Sequence, residues 1–393
     1  VLAQTSDGQR RFADSAGVRK ATLHAVGDLH GFISTGVQTA FRTQLAGFDI
    51  INGTFTVGGV GNDITMTIDA RLSEAALSAL GSKKGAVGVM NYKTGEILAM
   101  VSAPTYDPNS PPSAKQLESD KYKGIYVNRV LSGQFAPGSI FKLVTAAAAI
   151  DNIDDIFEKE YVCKGGVEIG GETLTCAGYH GKVNFRKALN VSCNAAFAQI
   201  ALELGQDTML KYTKKLGFGG TYRIDGLKLS AGKYPLDGAR DIDFGWSAIG
   251  QHNDTVNPMH YLMFICAIAN GGVVETPHFI DSIKTGYGLT QYIRTGGDER
   301  LLPEATADTL KGMMRSNVTE NYGDGKFPGL KLCAKSGTAE ILKNDVPHSW
   351  FVGFLDDEEY PFAFVAVAEN SGAGIGVAAT VANKVMQKAK DLF

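Results

Sequence analysis

Three short groupings in this 393-residue sequence carry side chains whose types and spacing suit acyl transfer. The first is Ser139-Ile140-Phe141-Lys142, which follows a Pro137-Gly138 turn and runs into the apolar stretch LVTAAAAI. Residues i and i+3 of a helix are surface neighbours, so hydroxyl and amine fall on one face. A serine hydroxyl becomes an effective nucleophile when a base removes its proton. A lysine serves as that base when burial or a second cation lowers its pKa. The apolar helix behind Lys142 supplies burial, and a helix starting at Ser139 points its N–H groups at any anion formed there. Alone, the pair is weak: Ser139 is equally suited to be an N-cap. A second Ser-x-x-Lys, Ser230 to Lys233, has no helical run behind it.

The second grouping, Ser192-Cys193-Asn194, is the single Ser-x-Asn of the chain and opens another helical pattern; alone it reads as an N-cap and its neighbour. The third is a Lys-Ser/Thr-Gly triplet, of which there are three. Lys93-Thr94-Gly95 sits in a hairpin turn and Lys284-Thr285-Gly286 leads into a glycine-containing loop. Lys335-Ser336-Gly337, followed by Thr338, instead continues an alternating strand, where glycine lets a ligand or another backbone approach closely.

The elements that must position these groups are legible from periodicity. DITMTIDARLSEAALSAL alternates as a strand and then turns amphipathic. GAVGVMNYKTGEILAMVSA reads as a hairpin, followed by a loop from Pro104 to Pro112. Residues 135 to about 217 are mainly helical, with an excursion between Cys163 and Cys176, and NPMHYLMFICAIANGG forms a further helix. LKLCAKSGTAEIL, HSWFVGFL and YPFAFVAVAEN are three strands, and TVANKVMQKAKDLF is an amphipathic closing helix. A hairpin, helices, more strands and a last helix define an antiparallel β-sheet flanked by helices, an α+β or mixed α/β domain. Residues 1–61, rich in Gly, Thr and His, predict short strands and turns: a small β-rich pedestal remnant before a main domain of residues 62–393.

A hydrophobic content of 44 % supports a sizeable core, while a net charge of −3 and a pI near 6.2 give no electrostatic case for nucleic acid. Apolar runs are too short to span a bilayer. The chain starts at Val1 without a signal-peptide pattern and is read as a fragment or processed form. Cys193, Cys266 and Cys333 lie in apolar stretches and read as small buried hydrophobes. Cys163 and Cys176 flank CKGGVEIGGETLTC. In an oxidising compartment a disulfide there would add about 3 kcal/mol. A metal site at the pair is disfavoured, since His180 lies nearby but no fourth ligand suggests itself. No metal or cofactor is expected.

In order along the chain, the three groupings form the signature of active-site-serine penicillin-recognising enzymes. From about residue 62 onwards the chain resembles the transpeptidase domain of class B, monofunctional penicillin-binding proteins. The pieces that carry the resemblance are KTGEILAMVSAPTYDPN, FAPGSIFK, NVSCNAAFAQIALELG, GWSAIGQ, AIANGG, AKSGTAE and HSWFVGF. The resemblance implies a peptidoglycan D,D-transpeptidase in which Ser139 attacks a stem peptide ending in D-Ala-D-Ala and is acylated by β-lactams. It makes Lys142 the base, Ser192 a proton relay, and Asn194 an orienting group that also holds a substrate amide. It makes Lys335 the second cation, keeping Lys142 neutral and drawing in the terminal carboxylate, which Ser336 and Thr338 bind. The N–H groups of Ser139 and Thr338 form the oxyanion hole, and Gly337 counts with Ser336 and Thr338 among the substrate-binding residues. It further implies a membrane anchor placing the domain outside the cell, which favours the Cys163–Cys176 bridge, and a polytopic glycan polymerase as partner. Ser336 departs from the commoner threonine but keeps the hydroxyl. His252, after GWSAIGQ, is given no role. A D,D-carboxypeptidase, a class D-like β-lactamase and a non-turnover β-lactam sensor share the three groupings; the length and the first sixty residues fit the last two poorly.

Overall fold

The computed structural model describes residues 1–49, 54–55, 61–290, 296–340 and 346–393. In chain order, the elements that frame the site begin with α1 (Ala16–Val26), α2 (Ala70–Leu80) and the hairpin β1 (Gly85–Asn91) and β2 (Ile97–Ala103). Next come α3 (Lys142–Asn152), four short strands β3 (Glu160–Cys163), β4 (Gly166–Ile169), β5 (Glu172–Thr175) and β6 (Gly181–Asn184), and α4 (Asn194–Leu204). The remainder are α5 (Pro258–Ala269), α6 (Glu304–Ser316), β7 (Leu332–Ala339), β8 (His348–Leu355), β9 (Phe362–Ala368) and α7 (Val377–Leu392).

The central sheet is antiparallel in the order β7-β8-β9-β1-β2. Its strands read as near-continuous apolar runs because both faces are covered. Ala86 and Met90 of β1 join Val365 and Val367 of β9 in the cluster built with α3, α4 and α5. The alternate residues Val87 and Val89, with Phe364 and Ala366, pack beneath α2 and α7. Each large apolar side chain so buried contributes about 1.5–3 kcal/mol. Strand β7 lies at one edge of the sheet, where it packs against the turn Gly138–Phe141.

The expected hairpin, the three late strands and the closing helix are all present. The N-terminal region departs from the expected β-rich pedestal. Paired strands do occur at Ala3–Ser6 with Gln9–Phe12, but the segment between them and α2 contains the eleven-residue helix α1. Its residues Ala21 to Val26 are buried against α2 and β2. Arg19 clamps it by a bidentate pair to Asp107, Nε to Oδ1 at 2.7 Å and Nη2 to Oδ2 at 2.6 Å. Polar residues such as Arg19, Lys20 and Thr22 interrupt its apolar stripe, so tertiary burial rather than periodicity makes it a helix. Of the strands and turns expected over 45–59, Phe48–Asp49 pairs antiparallel with Thr54–Phe55, and the remainder lies outside the described residues.

Candidate active site

Ser139 and Lys142 sit at a junction rather than inside one helix. Gly138–Phe141 form a 3-10 turn, and α3 proper begins at Lys142. The tight turn requires Gly138, whose φ is +54°, and a Cβ there would lie 2.3 Å from the carbonyl oxygen of Thr338. From the other side, a Cβ on Gly337 would lie 2.9 Å from Ile140 Cγ2 and 3.0 Å from Pro137 O. The serine turn and the edge strand are therefore in backbone contact, which glycine alone permits. Trp350 of β8, fully buried, locks the approach to the turn by donating its indole N–H to Ala136 O at 3.0 Å.

Lys142 is fully buried, and its Nζ meets four oxygens: Asn194 Oδ1 at 2.6 Å, Ser192 O at 2.8 Å, Ser139 Oγ at 3.0 Å and Ser192 Oγ at 3.1 Å. The first two are obligate acceptors. Asn194 Nδ2 donates to Thr175 O at 3.1 Å, so its amide oxygen must face the lysine. A neutral amine has two hydrogens and one lone pair. With both hydrogens engaged by Asn194 and Ser192 O, the lone pair faces the serine hydroxyls, ready to accept a proton. Burial pushes Lys142 down to about 7, against the pull of nearby Cys176 and Cys193, which would raise it.

Ser192 Oγ is also 3.1 Å from Lys335 Nζ, which donates to Ser336 O at 2.7 Å. The Ser192 hydroxyl thus bridges two buried amines. Its backbone adopts φ +54°, a left-handed conformation costing about 1–3 kcal/mol for a non-glycine residue. The turn is held by Ser192 N–H to Leu189 O at 3.1 Å and Cys193 N–H to Ala188 O at 2.8 Å. The N-cap reading that Ser192 allowed when taken alone does not apply: α4 starts at Asn194, and Cys193 is its cap, with Sγ accepting from Ala196 N at 3.4 Å. Lys335 lies well below the ordinary lysine value because it is buried and, secondarily, because Lys142 is close. Desolvation leads for both amines, and the charge of Lys142 adds to the lowering of Lys335.

Two residues of this region were missed in the sequence. Tyr322 Oη accepts the Ser336 N–H at 2.9 Å and lies 3.0 Å from Ser336 Oγ. The phenol thus holds Ser336 at both its backbone N–H and its hydroxyl. Gln251 donates from Nε2 to Thr338 O at 2.8 Å and accepts Glu340 N–H at 3.2 Å, pairing with the end of β7 as a neighbouring strand would. Tyr322 carries no local signal; Gln251 ends the GWSAIGQ piece. His252 is exposed and lies beside Asn253.

Cys163 and Cys176 are free thiols and not the expected disulfide. The reason is geometric: Cys176 Sγ lies 4.0 Å from a third sulfur, Cys193, and both Cys163 Sγ and Cys176 Sγ lie 3.5 Å from His180 Nδ1. Cys193, expected to be simply a buried hydrophobe, is the fourth potential ligand that linear spacing did not offer.

With a Ser-Lys-Ser-Lys array whose two lysines are buried at the edge of an antiparallel sheet, the chain belongs to the family of penicillin binding protein transpeptidase domains, whose signature matches residues 85–387. Its relatives are class B enzymes. The peptidoglycan D,D-transpeptidase PbpA of Mycobacterium tuberculosis is 28 % identical over 362 residues, covering 84 % of this chain and 72 % of that protein. Stage V sporulation protein D of Bacillus subtilis is 27 % identical over 354 residues, covering 83 % of this chain and 53 % of that protein. Penicillin-binding protein A of M. tuberculosis, solved as a ceftriaxone acyl-enzyme, superposes with a TM-score of 0.87 at 25 % identity, over 99 % of this chain and 96 % of that one.

Proposed function

We propose that this chain is a serine-type peptidoglycan D,D-transpeptidase that forms its acyl-enzyme on Ser139 and is acylated there by β-lactams. The observation that carries the reading is Lys142, buried, held by two obligate acceptors and 3.0 Å from Ser139 Oγ. Ser139 Oγ attacks the carbonyl of the D-Ala-D-Ala bond while its proton passes to Lys142 Nζ. Ser192, between the two amines, carries a proton to the departing D-alanine nitrogen. The amine of a second stem peptide then attacks the ester carbonyl and gives up a proton, which passes back along the same route to Ser139 Oγ as the ester bond breaks.

The backbone N–H groups of Ser139 and Thr338 are the proposed oxyanion donors, such a donor being worth about 3 kcal/mol in the transition state. Lys335 and the hydroxyls of Ser336 and Thr338 take the substrate's terminal carboxylate, whose charge restores the Lys335 cation that burial disfavours. Gly337 lets that strand lie against the serine turn. We also read residues 62–393 as the transpeptidase domain and residues 1–61 as the tail of a pedestal. Action outside the cell on a membrane anchor, with a glycan polymerase as partner, rests on family analogy. Among the described residues no helix is long and apolar enough to cross a membrane.

The test is intact mass over hours with a penicillin, beside a Ser139→Ala control. A stoichiometric, persistent adduct absent from the control is expected. An adduct that disappears as the drug is consumed would make the protein a β-lactamase, and none at all would remove Ser139 as nucleophile.

A further inference from the structure

Next to the catalytic array lies a cluster that the transpeptidase chemistry does not use. Cys163 ends β3, Cys176 follows β5, His180 precedes β6 and Cys193 caps α4. Their four ligand atoms, three sulfurs and the His180 Nδ1, all lie within 4.8 Å of one another. We propose that these four side chains form a closed tetrahedral site for one zinc-class divalent ion, and that the ion ties the Ser192-Cys193-Asn194 turn to the β3–β6 excursion.

Three of the six separations match a tetrahedron, and all six lie within 4.8 Å. Bonds of about 2.3 Å to sulfur and about 2.0 Å to nitrogen place sulfurs about 3.8 Å apart and sulfur and nitrogen about 3.5 Å apart. The observed separations are 4.0 Å for Cys176 to Cys193, and 3.5 Å from His180 Nδ1 to each of Cys163 and Cys176. A disulfide needs about 2.05 Å between sulfurs and no histidine. The surroundings also suit thiolates, the form that binds metal: Asn194 N–H donates to Cys176 Sγ at 3.2 Å, and Ala196 N–H to Cys193 Sγ at 3.4 Å. Three sulfurs and one imidazole favour a soft or borderline ion over calcium or magnesium, and a full set of four protein ligands marks a structural site. Binding releases thiol protons to solvent and changes no oxidation state.

The consequence for catalysis follows from the connections. Cys193 lies between Ser192 and Asn194, whose oxygens hold Lys142. Asn194 is bonded to the excursion twice, through its N–H to Cys176 and through Nδ2 to Thr175 O. An ion on Cys163, Cys176 and His180 therefore holds the turn from outside. Metal binding stands independently of the transpeptidase reading; the effect on acylation rests on it.

The experiment uses the full chain, purified without chelator. Elemental analysis should find one equivalent of zinc or accept it on addition. Cobalt(II) loading should give sulfur-to-cobalt charge-transfer absorption with tetrahedral d–d bands. Removing the ion should lower Tm, with recovery on adding zinc, and slow penicillin acylation by about tenfold, as loss of a supporting shell does elsewhere. Cys163→Ser and His180→Ala should lose the ion, while Cys266→Ser, buried in α5, should keep it. Failure of the wild-type chain to bind zinc or cobalt with all five cysteines reduced overturns the site, as does a thiol count two short that maps to Cys163 and Cys176. A metal-free protein that acylates at the full rate overturns the link to the turn. Absence of any penicillin adduct from the metal-loaded protein would count against the transpeptidase reading and leave the metal site to its own readouts.

Discussion

At the residue scale the decisive question is which amine lacks a proton. Lys142 is held at about 7 chiefly by burial, and its neutral form is the active one. The active fraction therefore rises with pH: acylation should climb about tenfold per pH unit below about 7 and level off above it. A stopped-flow profile still climbing towards the ordinary lysine value would show that another group is the base. Lys142→Arg, which cannot release its proton, should lower acylation by about 10²–10⁴-fold while penicillin still binds non-covalently. Tyr322→Phe removes the acceptor of the Ser336 N–H and leaves that donor unpaired, at a cost of about 1–3 kcal/mol. It should lower Tm and raise KM for a donor ester more than it lowers kcat if Ser336 holds the terminal carboxylate as proposed.

At the element scale the site exists because β7 and the serine turn touch through their backbones. Gly337→Ala would place a methyl group 2.9 Å from Ile140 Cγ2 and 3.0 Å from Pro137 O. Overpacking of this kind costs about 1–3 kcal/mol, and here the shift moves Ser139 away from Thr338. We expect a lower melting temperature and slower acylation together. The alternating apolar pattern announced β7 as a strand, and the Pro-Gly turn announced a helix start. Their adjacency was not legible, because it depends on a strand at the end of the chain joining a sheet begun by β1. Likewise α1 was invisible, since burial against α2 and β2 overrides its broken apolar stripe.

At the scale of the whole molecule, the segment after Gly250 backs the serine turn: Gly138 N–H donates to Gly250 O at 2.9 Å, and Phe135 bridges to Val256. Between them Asp254 is buried, accepts Ser247 Oγ–H at 2.6 Å and has a second oxygen without a partner. Burial raises it to about 7. The native state thus binds its proton more tightly than the unfolded chain. The stability it confers is complete below the ordinary carboxylate range and is lost as pH rises through about 7. Urea unfolding at a series of pH values should show this loss in the wild type and a flatter profile in Asp254→Asn, which keeps an acceptor for Ser247. Parallel profiles would show that Asp254 stays ionised.

Residue types, order and spacing were enough to identify the family. Ser139 three before Lys142, Ser192 two before Asn194, and Lys335-Ser336-Gly337 in an alternating strand are each weak alone and together form its signature, and they are legible because each pairing is local and lies within one turn or one strand. The hairpin and the flanking helices follow from the same local periodicities. What the tertiary structure alone decided is how atoms from distant segments meet. Asn194 and Ser192 take both hydrogens of Lys142 across fifty residues, Tyr322 pairs with the N–H and hydroxyl of Ser336, and Cys193 joins Cys163, Cys176 and His180. Periodicity reports which face of an element is buried, but not which partner buries it; that choice is made by packing the whole chain around one sheet.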